Sequence, residues 1–272
     1  MRIQTLVQAM TAAAALSLLA GCSGGSSIAP RPASPQGGIH PFTGEQRNVV
    51  SAIDQDDVAI DASARSLRRV PLRSAAKFAV LAGSTVTNDG PTVVTGNLGL
   101  SPGSAVVGFP PGKVVDGSIH AADGEAALAK HDLTTAYNDA AGRKNPHLLP
   151  SDIGGMTISP GLYRAPSALA ITGNVTLDGK GDADSVFIIQ VPTKFTMAVN
   201  SSITLIGRAR ARNIFWQVGS SATLKKASVF KGVILAHMSI SLGTGATVAD
   251  GRLLARIGAV TLLRNIVTEP AP

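Results

Sequence analysis

Cysteine is nearly missing from this chain: Cys22 is the only one among 272 residues. No intrachain disulfide can form, so the core must hold through packing alone. Aromatic residues amount to 4% and include one tryptophan, Trp216, which is too few for a base-stacking platform. The five histidines (His40, His120, His131, His147 and His237) show neither HxxxH nor HExxH spacing and have no cysteine partner, so no metal site is expected. Acids run out toward the C-terminus, where only Asp250 and Glu269 follow Lys194. The paired carboxylates that glycan chemistry needs are therefore absent there, and neither an enzyme nor a cofactor is expected. Charged residues reach only 15%, while glycine, alanine, valine, threonine and serine are plentiful. That balance suits tightly wound β structure with small side chains better than a helical bundle.

The long apolar run that is present sits at the N-terminus. Met1-Arg2 supplies a short positive start, and residues 6–20 form a mostly apolar stretch too short for a comfortable membrane span. It ends in Leu19-Ala20-Gly21-Cys22, which resembles the bacterial lipobox, in which the cysteine becomes the lipidated first residue of the mature protein. Ser23 after it fits sorting to the outer membrane. The expectation is a signal peptide over residues 1–21, lipidation at Cys22, and an exported protein anchored by that lipid to the outer membrane or cell surface. Residues 23–40, SGGSSIAPRPASPQGGIH, read as a flexible tether and 41–73 as partly ordered linker. The compact domain is expected over 74–272.

Within it, KFAVLAGSTVTNDGPTVVTGNLGLSPG reads as short strands broken by Gly, Asn-Asp-Gly and Ser-Pro-Gly turns. One helix is expected, over about 119–142, with Ala121, Leu128, Ala129, Leu133, Ala136, Tyr137 and Ala140 at three-to-four spacing. Gly142 is its C-cap candidate and Pro146 a barrier beyond. After Pro150, blocks starting at Asn213, Val233 and Leu253 repeat with a period of about 20 residues, which is solenoid territory. A β-sandwich is the alternative at this point. Each block is an apolar strand, a small or polar turn, and an apolar–hydroxyl–apolar triplet such as Ala222-Thr223-Leu224. Alternate strand residues face opposite ways, so inward apolar partners put the middle residue outside. Thr196, Thr223, Ser241 and Thr261 would then line up as a ladder.

The segments KFAVLAGSTVTNDGPTVVTGNLGLSPG, VVGFPPGKVVDGSIHAADGEAA, DLTTAYNDAAGR, ISPGLYR, VTLDGKGDADSVFIIQV, NIFWQVGSSATL and FKGVILA, spread over residues 75–268, strongly resemble the bacterial and fungal ice-binding protein family. The resemblance implies an all-β fold with one long helix: a discontinuous, right-handed-type β-solenoid of triangular cross-section flanked by that helix. It also implies antifreeze activity, in which one flat Thr/Ser-bearing face adsorbs to ice and its ordered water, and growth and recrystallisation are inhibited. The site candidates are Thr196, Thr223, Ser241 and Thr261, then Thr244 and Thr247, and Thr85 and Thr87 from GSTVTNDG. Lys225-Lys226 and Arg264 depart from the small neutral residues favoured beside such triplets. The rival function is a non-catalytic envelope adhesion or carbohydrate-binding module that does not touch ice.

Other motifs have plainer readings. DGKGDAD over 178–184 lacks the distal glutamate of a calcium loop and reads as a turn. Arg208, Arg210 and Arg212 in RARAR would share one side of an extended segment and read as a solvated edge, with lipopolysaccharide phosphate as the sharper option. Trp216 is expected in the core, and Asn97, Asn174 and Asn213 in turns or internal ladders. Nucleic acid is not an expected partner, and a monomer is favoured.

Overall fold

The computed structural model describes residues 67–271. The expected signal peptide, Cys22 and the linker up to residue 66 lie outside the described residues.

Short strands run round a three-sided coil, and neighbouring coils pair in parallel. Trp216 pairs with Ile234 and Ile234 with Leu253, which fixes coils of 18 or 19 residues and matches the repeat read from the sequence. The three sides are distinct. A helix-covered side includes Gly161–Arg164, Phe187–Val191 and Ile214–Val218, together with the later halves of Val229–Ala236 and Thr247–Ala255. A second side is a separate seven-stranded sheet, ordered Leu169–Ile171, Phe195–Met197, Ala222–Leu224, Ile240–Leu242, Val260–Leu263, Thr85–Asp89, Ala105–Val107. A third side carries Asn174–Asp178, Ser202–Ile206, Ile266–Thr268 and Val93–Thr95.

One local rule turns the chain from the second side to the third. Gly173, Asn200, Ala227, Gly245, Arg264, Gly90 and Gly108 take φ between +54° and +85° at equivalent places in successive coils. At Asn200, Ala227, Gly245 and Arg264 this bend brings the following residue (Ser201, Ser228, Ala246 or Asn265) inward. Ser201 and Ser228, buried at this corner, donate their hydroxyls to the Ala198 and Lys225 carbonyls at 2.7 Å. Inside the coils, aliphatic rows enclose a stack in which Phe195 lies on Trp216 at 5.0 Å and 21°, with Phe230 edge-on at 6.3 Å to Phe195. Trp216 is fully buried and its indole N–H donates to the Lys231 carbonyl at 3.3 Å, as the core expectation required.

The solenoid is discontinuous. Residues 78–121 build coils that stack against the C-terminal one: Val80 pairs with Leu253, Val86 with Val260 and Val94 with Val267. The helix α1, Gly124–Gly142, then returns the chain along the first side to start again at His147–Leu148. Its 19 residues rise about 28 Å, about six strand spacings. Ala126, Ala129, Ala136 and Ala140 let it lie close, while Leu133 and Tyr137 pack with Leu81, Ile188, Phe215, Val233 and Leu254.

Three expectations need correction. Residues 119–121 are a strand paired with Asn97–Leu100, not the start of the helix, because Asp123 caps the helix by accepting the Ala126 N–H at 2.8 Å. Leu128, placed on the packing face by spacing, points to solvent and is 57% exposed. RARAR is no extended strand: Arg208 is left-handed and Ala211–Asn213 is a 3-10 turn with Ala211 buried. The packed chain also reaches back before Ser74, since Val70 and Leu72 are buried against the helix layer.

Candidate functional site: the seven-stranded face

On this sheet the inward residues of each strand are apolar and buried, so the pleat sends the middle residue outward. The register sets Ala170, Thr196, Thr223, Ser241, Thr261, Thr87 and Val107 in one row. Five consecutive rungs therefore carry a hydroxyl, and at a strand spacing of about 4.8 Å they span about 19 Å. The sequence expectation for Thr196, Thr223, Ser241 and Thr261 coincides with this row. Thr87 joins it only because the N-terminal coil stacks on the C-terminal one, opposite Thr261.

Thr85 sits on the same face, one row across, beside Ala259 and Ala105. The same row brings in Ser221 and Ser239, which sequence reasoning passed over. Ser239 N–H donates to Ser221 Oγ at 3.4 Å and Ala259 N–H to Ser239 Oγ at 3.3 Å, so both hydroxyls are fixed by the next coil. The signal was present as a small residue two positions before four of the five middle hydroxyls: Thr85-Val86-Thr87, Ser221-Ala222-Thr223, Ser239-Ile240-Ser241 and Ala259-Val260-Thr261. The remaining candidates are elsewhere. Thr244 lies exposed in the corner turn, and Thr247 belongs to the third side, paired with Val229 and Ile266. The triplets at 175–177 and 203–205 also fall on the third side.

That third side differs chemically. Asn174 Oδ1 accepts the hydroxyls of Ser202 at 2.9 Å and Thr204 at 2.8 Å, and Asn174 Nδ2 donates to Thr176 Oγ1 at 3.3 Å. The hydroxyls of Ser202 and Thr204 are thus spent on the Asn174 amide. On the seven-stranded face, the hydroxyls of Thr87, Thr196, Thr223, Ser241 and Thr261 make no hydrogen bond to protein among the described residues.

The charged departures fall at the margins. Lys225 alternates outward beside Thr223, and Lys194 occupies the Ser221 row beside Thr196; both are exposed. Arg264 is the left-handed corner residue, so its side chain leaves the face and lies along the next coil at Gly90. Asp89, exposed, stands outward beside Thr87 in the same way, so the row is cleanest at Ser241 and Thr261. In the DGKGDAD turn, Asp178 pairs with Lys180 at 2.9 Å, and the Lys180 backbone N–H, then its side chain, holds that carboxyl below its usual value. Among the described residues no three His, Cys, Asp or Glu side chains are grouped to share a metal ion.

A family model described as Ice-binding-like matches residues 80–268. A protein of Nostoc sp. (strain HG1) named ice-binding protein is 46% identical over 199 residues, 73% of each chain. One of Colwellia sp, similarly named, is 37% identical over 216 residues, covering 74% of this chain and 84% of its own. Among solved structures, an ice-binding protein from an Antarctic biological consortium aligns with TM-score 0.73 at 46% identity, over 76% of this chain and 93% of that one. Another, from the Antarctic ascomycete Antarctomyces psychrotrophicus, aligns with TM-score 0.72 at 38% identity, over 75% of this chain and all of that one.

Proposed function

This chain belongs to the ice-binding-like family, and on that premise we propose that it adsorbs to ice through the seven-stranded face, slowing ice growth and recrystallisation. The observation that carries the choice of face is the unbroken row Thr196, Thr223, Ser241, Thr261, Thr87 with hydroxyls left free for water. Each hydroxyl holds a water that can bridge to the crystal, and each threonine methyl limits competing hydration. A single such contact is weak. A rigid stack presents all of them together, without the ordering cost that a flexible segment would bear. The rows Ser221–Ser239 and Thr85 widen the array into two columns. The family's function is binding without chemistry, and we read this chain in the same way. No feature of the described residues favours a carbohydrate-binding or adhesion module instead.

We also propose that the protein works outside the cell, tethered to the outer membrane through lipid on Cys22, on the strength of the Leu19-Ala20-Gly21-Cys22 sequence. The mass of Cys22 peptides from membrane-isolated protein checks this: an unmodified thiol rejects the anchor.

The face is tested by Thr223→Tyr against Thr204→Tyr, one bulky exposed change on each side. Thermal hysteresis and recrystallisation inhibition should fall severalfold for the first and hold for the second, with circular dichroism unchanged in both. The opposite pattern moves the site to the third side, and an inactive parent protein ends the ice reading.

A further inference from the structure

The corner between the third side and the helix-covered side is the one opposite the hydroxyl face in a three-sided coil. After Ile206 it carries Arg208, Arg210 and Arg212 on a single turn. Arg208 Nη1 reaches the Gly181 carbonyl at 3.3 Å and Arg212 Nη1 the Ala271 carbonyl at 3.4 Å; Arg210 is exposed. The described chain enters at this corner too. Leu67, Arg68 and Arg69 line one depression with Asp182, Asp184 and Arg212. Burial, followed by the charges of Arg212 and Arg252, lowers the Arg69 pKa, so guanidinium groups crowd one another here. Arg252 is matched by Glu269 at 2.7 Å and Lys180 by Asp178 at 2.9 Å. Arg68, Arg69, Arg208, Arg210 and Arg212 form no salt bridge among the described residues, and the carboxylates near them are Asp182, Asp184 and Asp250.

We propose that this arginine corner docks on an anionic, phosphate-bearing lipid surface and thereby turns the hydroxyl face away from the membrane. The idea rests on the reading of Cys22 as a lipid anchor. Cys22 lies 45 residues before Leu67, and a lipid at that single point does not set which side of the body faces the membrane. A second contact is needed to orient the body. Guanidinium forks match phosphate oxygens in pairs, and several basic groups within a Debye length of an anionic bilayer add their attractions. Docking at this corner leaves the opposite side outermost, where external ice would meet it.

The test uses the chain from residue 22 onward with Cys22→Ser, so that no acyl group contributes. Flotation with phosphatidylcholine vesicles, with and without one-third phosphatidylglycerol, measures the corner alone. At about 0.1 M salt, partition should favour the anionic vesicles about tenfold or more, and the preference should vanish near 1 M salt. The triple change Arg208→Gln, Arg210→Gln, Arg212→Gln should lower anionic binding about tenfold or more while leaving recrystallisation inhibition intact. Equal partition into both vesicle types, or an unaffected triple variant, overturns the proposal. Failure of lipidation is read separately, from the mass of Cys22, and leaves the vesicle result unchanged.

Discussion

The Asn265 side chain ties the last C-terminal coil to the one before it, and its removal gives a sharp energetic prediction. The side chain is 1% exposed. Its Nδ2 donates to the Gly243 carbonyl at 2.8 Å and the Ala246 carbonyl at 2.9 Å, its Oδ1 accepts the Leu263 N–H, and its own N–H donates to Thr92 Oγ1 at 3.0 Å. In Asn265→Ala the backbone bond to Thr92 survives, and Gly243 keeps the Ala246 N–H as a partner. The Ala246 carbonyl and the Leu263 N–H lose their side-chain partner. A buried polar group left unpaired costs about 1–3 kcal/mol, so the two together predict a loss of about 2–6 kcal/mol. That is a large part of the 5–15 kcal/mol that domains of this kind usually have. Equilibrium urea unfolding of the parent and variant reads the difference directly, with the slope expected to stay constant. Asn265→Asp keeps the acceptor for Leu263 but turns a carboxylate toward two carbonyls, and should be at least as damaging. A loss below about 1 kcal/mol for Asn265→Ala would refute the idea that this side chain clamps the corner of the last two C-terminal coils.

Three further outcomes are expected. Thr87→Tyr should reduce thermal hysteresis as Thr261→Tyr does, since the two are opposed across the chain discontinuity; a silent Thr87→Tyr would place the active rows among the C-terminal coils alone. Lys225→Thr removes a hydrated charge from the face and should raise hysteresis at equal concentration, whereas a fall would make that lysine part of the contact. Lys130, buried in the helix, donates to the Ala255 and Arg256 carbonyls, and burial, then Arg256, pushes its pKa down to about 7. An unfolded lysine near 10.5 keeps a proton that the folded one has lost, so stability should climb as pH rises between those values. Chemical denaturation in that window should show a climb that Lys130→Met flattens, and an equal climb in both proteins rejects the assignment.

How far the sequence could be read follows from the kind of signal each feature leaves. Apolar alternation around a middle hydroxyl is local, so the row through Thr196, Thr223, Ser241 and Thr261 was legible. Which side a triplet occupies is not local. Val175-Thr176-Leu177 has the same pattern as Ala222-Thr223-Leu224 yet lies on the third side, because that choice depends on position within the coil. Corners at Ala227 and Arg264 also hid themselves, since left-handed residues other than glycine carry no compositional mark. Arg264 consequently looked like a charge on the face, although its backbone directs it to the corner. The helix start was misplaced because His120 and Ala121 belong equally well to an edge strand, and only the Asp123 cap decides between them. Thr247 shared a block with Ser241 but falls past the corner.

Stacking the first coil on the last has a consequence for how the protein is made. Arg252 donates to the Phe78 carbonyl 174 residues away at 3.0 Å, and Asn265 reaches Thr92 across 173. Contacts so distant in sequence close late and slowly, because loop entropy must be lost before they form. The N-terminal coils therefore have no finished surface to rest on until the final residues have been synthesised. A chain cut short before Val260 would contain Thr87, Thr196, Thr223 and Ser241, yet Thr87 would have only Val107 beside it and no hydroxyl rung. Ice affinity thus reports on completion of the whole polypeptide, and a ribosome-stalled or C-terminally clipped product should be distinguishable by that property alone.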